Sequence, residues 1–258
     1  MPKIIDFVEV PHLEEIMAYL PISAEDKEDV SLYLQNITNL INVNHKYEQY
    51  QFAYFGLHLL YMTYIYFTVW KISKIYPERY CDAVVFAKAY TGRNLNFINI
   101  ESIFEYCLVP EKELPKIFKI IGLDDGQIGI IKGLVDNRND LAHASGKFEI
   151  LNDLGFEVNA NSICASMRNI HNRMEMLIRN WFSKLLLSYG NGGFDEYEDT
   201  DDFINEQMIQ GFNLSANELL ICNEMSTRSI ISSSPELEEK LNLFKQGLKS
   251  FCENAGYI

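Results

Sequence analysis

The sequence predicts an all-α protein, a helical bundle over residues 1–189 followed by a C-terminal helical appendage. Three observations carry this. Apolar residues recur at steps of three and four over most of the chain, cap-forming residues precede acidic first turns, and strand-like alternation is confined to one short place.

In chain order, Ser23 followed by Ala24, Glu25 and Asp26 places a cap and an acidic first turn ahead of a helix ending near Ile41. A second helix spans Tyr47 to Ile75 and is stopped by Pro77. Shorter helices cover 79–90, 100–108 and 112–121, punctuated by Gly92, Pro110 and Gly122. Asp124 and Asp125 open the next helix, in which Ile128, Ile131, Val135 and Ala142 follow at helical spacing up to Gly146. Phe148-Glu149-Ile150 and Phe156-Glu157-Val158 flank Asn152 to Gly155 and predict a small β-hairpin. Ser162 then caps a long helix with the apolar stripe Ile163, Met167, Ile170, Met174, Leu177, Trp181 and Leu185, which ends at Gly190-Asn191-Gly192-Gly193. Six acidic residues in the eight positions from Asp195 to Asp202 predict a solvated linker over 190–206. The appendage, 207–258, contains a helix starting at Pro235 behind Ser234, with Leu237, Leu241, Phe244, Leu248 and Phe251 on one face.

Composition narrows the class. With 48% hydrophobic and 22% charged residues in 258, the chain can bury a core. Asp6 and Glu9 interrupt the first apolar residues, so no secretory signal is expected there and the expected location is cytoplasmic. The five cysteines, Cys81, Cys107, Cys164, Cys222 and Cys252, lie far apart and have neither a disulfide framework nor the spacing of a zinc motif. They are expected to be reduced thiols, mostly in the core, and neither a metal nor a cofactor is expected.

From Phe52 to Trp70 there are 19 residues without Lys, Arg, Asp or Glu, about the length that crosses a bilayer. Tyr54, His58, Tyr61, Thr63, Tyr64, Tyr66 and Thr68 place polar tips throughout the stretch, whereas spans concentrate aromatics at their two ends. A buried core or subunit-contact helix is therefore expected, and no membrane association.

The net charge of −14 disfavours sequence-blind binding to long nucleic acid. It is unevenly spread: residues 190–258 hold 13 acidic against 4 basic residues, while 126–189 hold 7 basic against 6 acidic. A local phosphate site stays open in that second stretch.

Within it lies Arg138-Asn139-Asp140-Leu141-Ala142-His143. Asn139 and His143 share a helix face at a spacing of four, whereas Arg138 and His143 differ by about 140° at 3.6 residues per turn. Asp136, Asn139, Asp140 and His143 form a polar ridge. Arg138 instead borders the Ile131 and Val135 stripe, where a charge needs a partner or a cleft. His171, beside Arg168 and Arg173, is a weaker candidate for the same site, and a solvated polar face is the plainer role for it. His12, His45 and His58 have no sequence neighbours that suggest chemistry.

An Arg followed by a polar residue and, five positions on, by a His on a bundle helix resembles the R-x4–6-H signature of the HEPN superfamily. The resemblance covers residues 25–189. It implies a HEPN-like core of four to five helices that dimerises to bring two motifs together, and metal-independent endoribonuclease activity of the toxin or antiviral-defence type. Arg138 would contact phosphate, Asn139 would orient the imidazole and His143 would be the general acid or base. RNA supplies its own nucleophile in the 2′-hydroxyl, so these residue types suffice without a metal. The implied partners are RNA, a second copy of the chain and an antitoxin or regulatory protein. The alternative is a HEPN-like bundle without catalysis, acting as a protein-interaction or nucleotide-binding module.

Overall fold

The computed structural model describes residues 10–22, 28–84, 100, 102–142, 151–194 and 196–258. Ten α-helices are assigned within them: α1 Leu13–Met17, α2 Glu28–Lys46, α3 Tyr50–Ile75, α4 Pro77–Val84, α5 Asp125–Ala142, α6 Asp153–Ser188, α7 Thr200–Phe203, α8 Ala216–Glu224, α9 Arg228–Ser233 and α10 Glu238–Asn254. Short 3-10 helices cover Ile103–Leu108, Leu114–Ile121 and Pro235–Leu237, and π-type turns cover Tyr189–Gly193 and Ile204–Gln210. Among the described residues there is no strand, only an antiparallel bridge between Pro21 and Ser215. The all-α expectation holds at that level.

The chain forms two compact units. The first holds α1 to α5 and α6 as far as Asn172, and the second holds Ala18–Ile22 and everything from Arg173 onward. The expected boundary at 189/190 thus falls inside the second unit.

The first unit is organised by α3. This helix is apolar on all sides, and 83% of its most apolar 18-residue window is buried, as expected of a core helix although its length and composition would also allow it to cross a membrane. Its polar tips find partners on neighbouring helices. Tyr54 donates to the Leu134 carbonyl of α5 at 3.5 Å, the Tyr61 and Ser166 hydroxyls meet at 2.8 Å, and Tyr64 donates to the Met167 carbonyl of α6 at 3.1 Å. Thr63 and Thr68 hydroxyls return to the carbonyls one turn back, at Leu59 and Tyr64. At its start α3 lies very close to α2. A Cβ on Gly56 would come within 2.4 Å of Ile41 Cγ1 and 2.9 Å of Leu40 Cδ2, so only glycine permits the approach.

The expected hairpin is corrected where the structure describes it. Phe156, Glu157 and Val158 belong to α6, which starts at Asp153. Asn152 accepts the Gly155 backbone N–H at 2.8 Å, and that side-chain cap starts a helix whose buried face runs Phe156, Ala160, Ile163, Cys164, Met167 and Ile170. The partner segment, Phe148 to Ile150, lies outside the described residues, as do Ser23 to Asp26, residues 85–90 of the helix expected over 79–90 and the end of the motif helix at Gly146. Ser162 is not a cap either, because it lies inside α6 and donates to the Val158 carbonyl at 2.8 Å. The expected stripe also turns. Phe182 and Leu186 are buried in place of Trp181 and Leu185, and the half-buried Trp181 stacks on Phe212 with centroids 4.0 Å apart.

The second unit is packed around aromatic rings. Tyr189 lies 4.8 Å from Phe194, 5.0 Å from Phe203 and 4.7 Å from Phe244, centroid to centroid. The acidic segment expected as a solvated linker therefore contributes Phe203 to a core. Asp199 caps α7 by accepting the Asp202 N–H at 2.9 Å, which gives one of its carboxylates a structural role. Ser215 and Glu218 form a reciprocal capping box that opens α8. Lys245 of α10 donates to the Cys222 carbonyl at 2.8 Å and the Asn223 carbonyl at 2.5 Å, closing the other end. On α10 the buried face is Leu241, Phe244, Leu248 and Cys252, so Cys252 takes the place expected of Phe251.

The two kinds of helical glycine should respond oppositely to a methyl group. Gly56→Ala should destabilise the fold, because overpacking costs about 1–3 kcal/mol and helix propensity returns at most about 1 kcal/mol. Gly129→Ala, with nothing within 4 Å of its added Cβ, should instead stabilise by about 0.5–1 kcal/mol. Denaturant midpoints of the two variants check the pair.

Candidate functional site

The motif helix α5 begins with a reciprocal cap. Asp124 Oδ1 accepts the Gln127 backbone N–H at 2.8 Å, and Gln127 Oε1 accepts the Asp124 N–H at 3.0 Å. The Gln127 amide also donates to Asn169 Oδ1 on α6 at 3.2 Å. From this start Ile128, Ile131, Leu134 and Val135 face inward, and the next inward position is Arg138.

Arg138 meets its partner there. Its Nη2 pairs with Glu111 Oε2, and the same carboxylate oxygen lies 3.4 Å from His58 Nε2. His58 is 1% exposed, whereas Arg138 and Glu111 are each 26% exposed. The cluster thus runs from the buried centre of α3, through the segment after Pro110, to the late turns of α5. The requirement that a charge beside the apolar stripe find a partner is met by Glu111. His58 Nδ1 and Arg138 Nε are buried without a hydrogen-bond partner among the described residues.

Electrostatics fix the protonation states. Burial depresses His58 below its ordinary 6.5 and outweighs the opposing pull of Glu111, so the imidazole is neutral and Nε2 donates to the carboxylate. Burial alone would raise Glu111, but His58 and Arg138 overcome it and hold the carboxyl below 4.5. With His58 neutral, we assign the ionic part of that pull to Arg138. Nearby Tyr54 is pushed up to about 12 by burial and remains a hydroxyl donor.

Of the three expected site residues, Arg138 and Asn139 lie on α5, and Asn139 is half-buried. His143 lies outside the described residues. Asp136 pairs with Lys112, and Asp140 is exposed. His171 is half-buried on α6. Two members of the cluster, His58 and Glu111, were not singled out by sequence. A signal for His58 was present, since a histidine in an uncharged 19-residue stretch has to find a polar partner from elsewhere.

Comparison with protein-family models, curated proteins and solved structures returned no match.

The cluster has a pH signature with two components. The folded His58 takes up its proton at lower pH than the unfolded chain does, so its contribution is complete above pH 6.5 and is lost as the pH falls below that value. Glu111, also depressed, contributes stability above pH 4.5 that disappears on further acidification. Urea midpoints followed downward from neutral pH should therefore fall in two phases. His58→Gln should abolish the first, and Glu111→Gln should cost about 1–3 kcal/mol near pH 7 by leaving Arg138 unpaired. A profile for His58→Gln that overlays the parent from neutral pH to pH 4.5 would contradict the assignment.

Proposed function

We propose that the chain is a metal-independent endoribonuclease of the HEPN type, working as a homodimer in a toxin or antiviral-defence setting. The observation that supports this best is the state of Arg138. One nitrogen of its guanidinium is tied to Glu111, the side chain is a quarter exposed, and it stands on the late turns of α5 five residues ahead of His143. A guanidinium has five N–H donors in a fixed fork, so a single carboxylate contact orients it and leaves donors for a phosphate oxygen.

In this proposal the 2′-hydroxyl of RNA attacks the adjacent phosphorus and the 5′-oxygen leaves. His143 moves the proton as general acid or base, Arg138 offsets the charge on the phosphoryl oxygens, and Asn139 orients the imidazole. A two-fold dimer places two such motifs together, with an antitoxin or regulatory protein as the controlling partner.

A second account has its own supporting observation. The Glu111 carboxylate neutralises Arg138 within the fold, as a purely structural ion pair would. In that case the chain is a non-catalytic bundle that binds protein or nucleotide.

Cleavage of single-stranded RNA or transfer RNA separates the two. Under the first account, Arg138→Ala and His143→Ala each lower cleavage at least about 100-fold, while Asn139→Ala has a smaller effect. Products end in a 2′,3′-cyclic phosphate, and cleavage continues in excess EDTA. Wild-type protein that binds RNA without cutting it, or a His143→Ala variant that loses its fold, would establish the second.

A further inference from the structure

The first unit also brings together three side chains of the types that bind zinc-like divalent metals. His12, Glu15 and Cys164 each offer one ligand atom, and these atoms all lie within 4.8 Å of one another. Their spacing hides them in the sequence: His12 directly precedes α1, Glu15 lies on it, and Cys164 comes from α6. His12 has a left-handed backbone, φ 64°, which is uncommon for a residue other than glycine, and its carbonyl accepts the Ile16 N–H at 2.9 Å.

The separations match those around a tetrahedral ion. Zinc bonds of about 2.1 Å to nitrogen and oxygen, at the tetrahedral angle, place the two ligand atoms about 3.4 Å apart. His12 Nδ1 and Glu15 Oε2 are 3.5 Å apart. The Glu15 carboxylate is divided between two tasks. Its Oε1 accepts from Arg168, one turn beyond Cys164 on α6, while Oε2 faces the imidazole. A metal-binding carboxylate held by an outer hydrogen-bond donor is the usual arrangement at such centres. Cys164 is buried, makes a weak S–H contact to the His12 carbonyl at 4.0 Å and has the Glu15 carboxylate as a side-chain hydrogen-bond partner, and the two partly exposed ligands give access from solvent.

We propose that His12 Nδ1, Glu15 Oε2 and Cys164 Sγ bind one zinc(II) ion, with water in the fourth position. An imidazole, a carboxylate and a thiolate favour zinc over the hard cations magnesium and calcium. Binding forms the sulfur–zinc bond as the Cys164 thiol loses its proton to the buffer, and the oxidation states of sulfur and zinc are unchanged. None of the three residues belongs to the Arg138 cluster, so the site stands independently of the ribonuclease proposal.

The test uses the full chain, stripped of metal and reduced. Zinc should bind with one ion per chain. Cobalt(II) in its place should give the near-ultraviolet thiolate charge-transfer band and the intense visible bands of a tetrahedral centre. Cys164→Ser should remove the charge-transfer band although Cys81 and Cys107 remain. His12→Ala and Glu15→Gln, at partly exposed positions, should weaken zinc binding by more than the about 10–100-fold expected for the outer partner in Arg168→Ala. A folded wild-type chain that gives no such band, or that keeps it in Cys164→Ser, would overturn the site. Should Cys164→Ser not fold, unchanged zinc affinity in both His12→Ala and Glu15→Gln overturns it equally.

Discussion

A helix with no polar face has to be covered on every side, and the first unit is arranged around that requirement. The run from Phe52 to Trp70 has no charge with which to face water, so α2, α4, α5, the first part of α6 and two 3-10 turns pack against or bond to α3. Tyrosine makes the covering specific. A buried hydroxyl without a partner costs more than a typical hydrogen bond gains, so the Tyr54, Tyr61 and Tyr64 bonds fix where α5 and α6 lie along α3. Leucine at those positions would fill the volume and leave the register open.

The same constraint creates the charged cluster. His58 cannot avoid burial on α3, and Arg138 follows the apolar stripe of α5 inward. One carboxylate, Glu111, serves both. With the imidazole neutral, the three side chains sum to no net charge, which is the arrangement a poorly solvated site tolerates best. The arginine ends up oriented rather than free to sample the solvent, which is what the proposed phosphate contact would require.

Sequence periodicity identified the helices well where one face is apolar. The stripe through Ile128, Ile131 and Val135 is buried as expected, and Pro235 opens the last helical segment. It failed where local chemistry outweighed pattern. Phe156-Glu157-Val158 alternates like a strand, yet Asn152 supplies a cap and Ala160, Ile163 and Met167 continue a helical face, so α6 starts early. The acidic run at 195–202 has the composition of a solvated linker, but Tyr197 lies within it and Phe203, directly after it, is drawn into an aromatic core. At the candidate site, Arg138 and its need of a partner could be read from helical geometry. The partner itself could not, because Glu111 and His58 are joined to Arg138 only by tertiary packing. The grouping of His12, Glu15 and Cys164 was hidden for the same reason, since metal motifs are recognised by short spacings and this one is separated by nearly the whole first unit.

Gln127 does two jobs with one amide. Its oxygen completes the reciprocal cap with Asp124, and its nitrogen reaches Asn169 on α6. Glutamate is the usual alternative in that capping position and would serve the backbone equally well, but it would set oxygen against oxygen at Asn169 or oblige that amide to turn over. An amide is the one end group that satisfies both neighbours as they stand. The first turn of the motif helix is thereby keyed to a particular point on α6, and the choice of side chain at 127 is narrower than helix capping alone would make it.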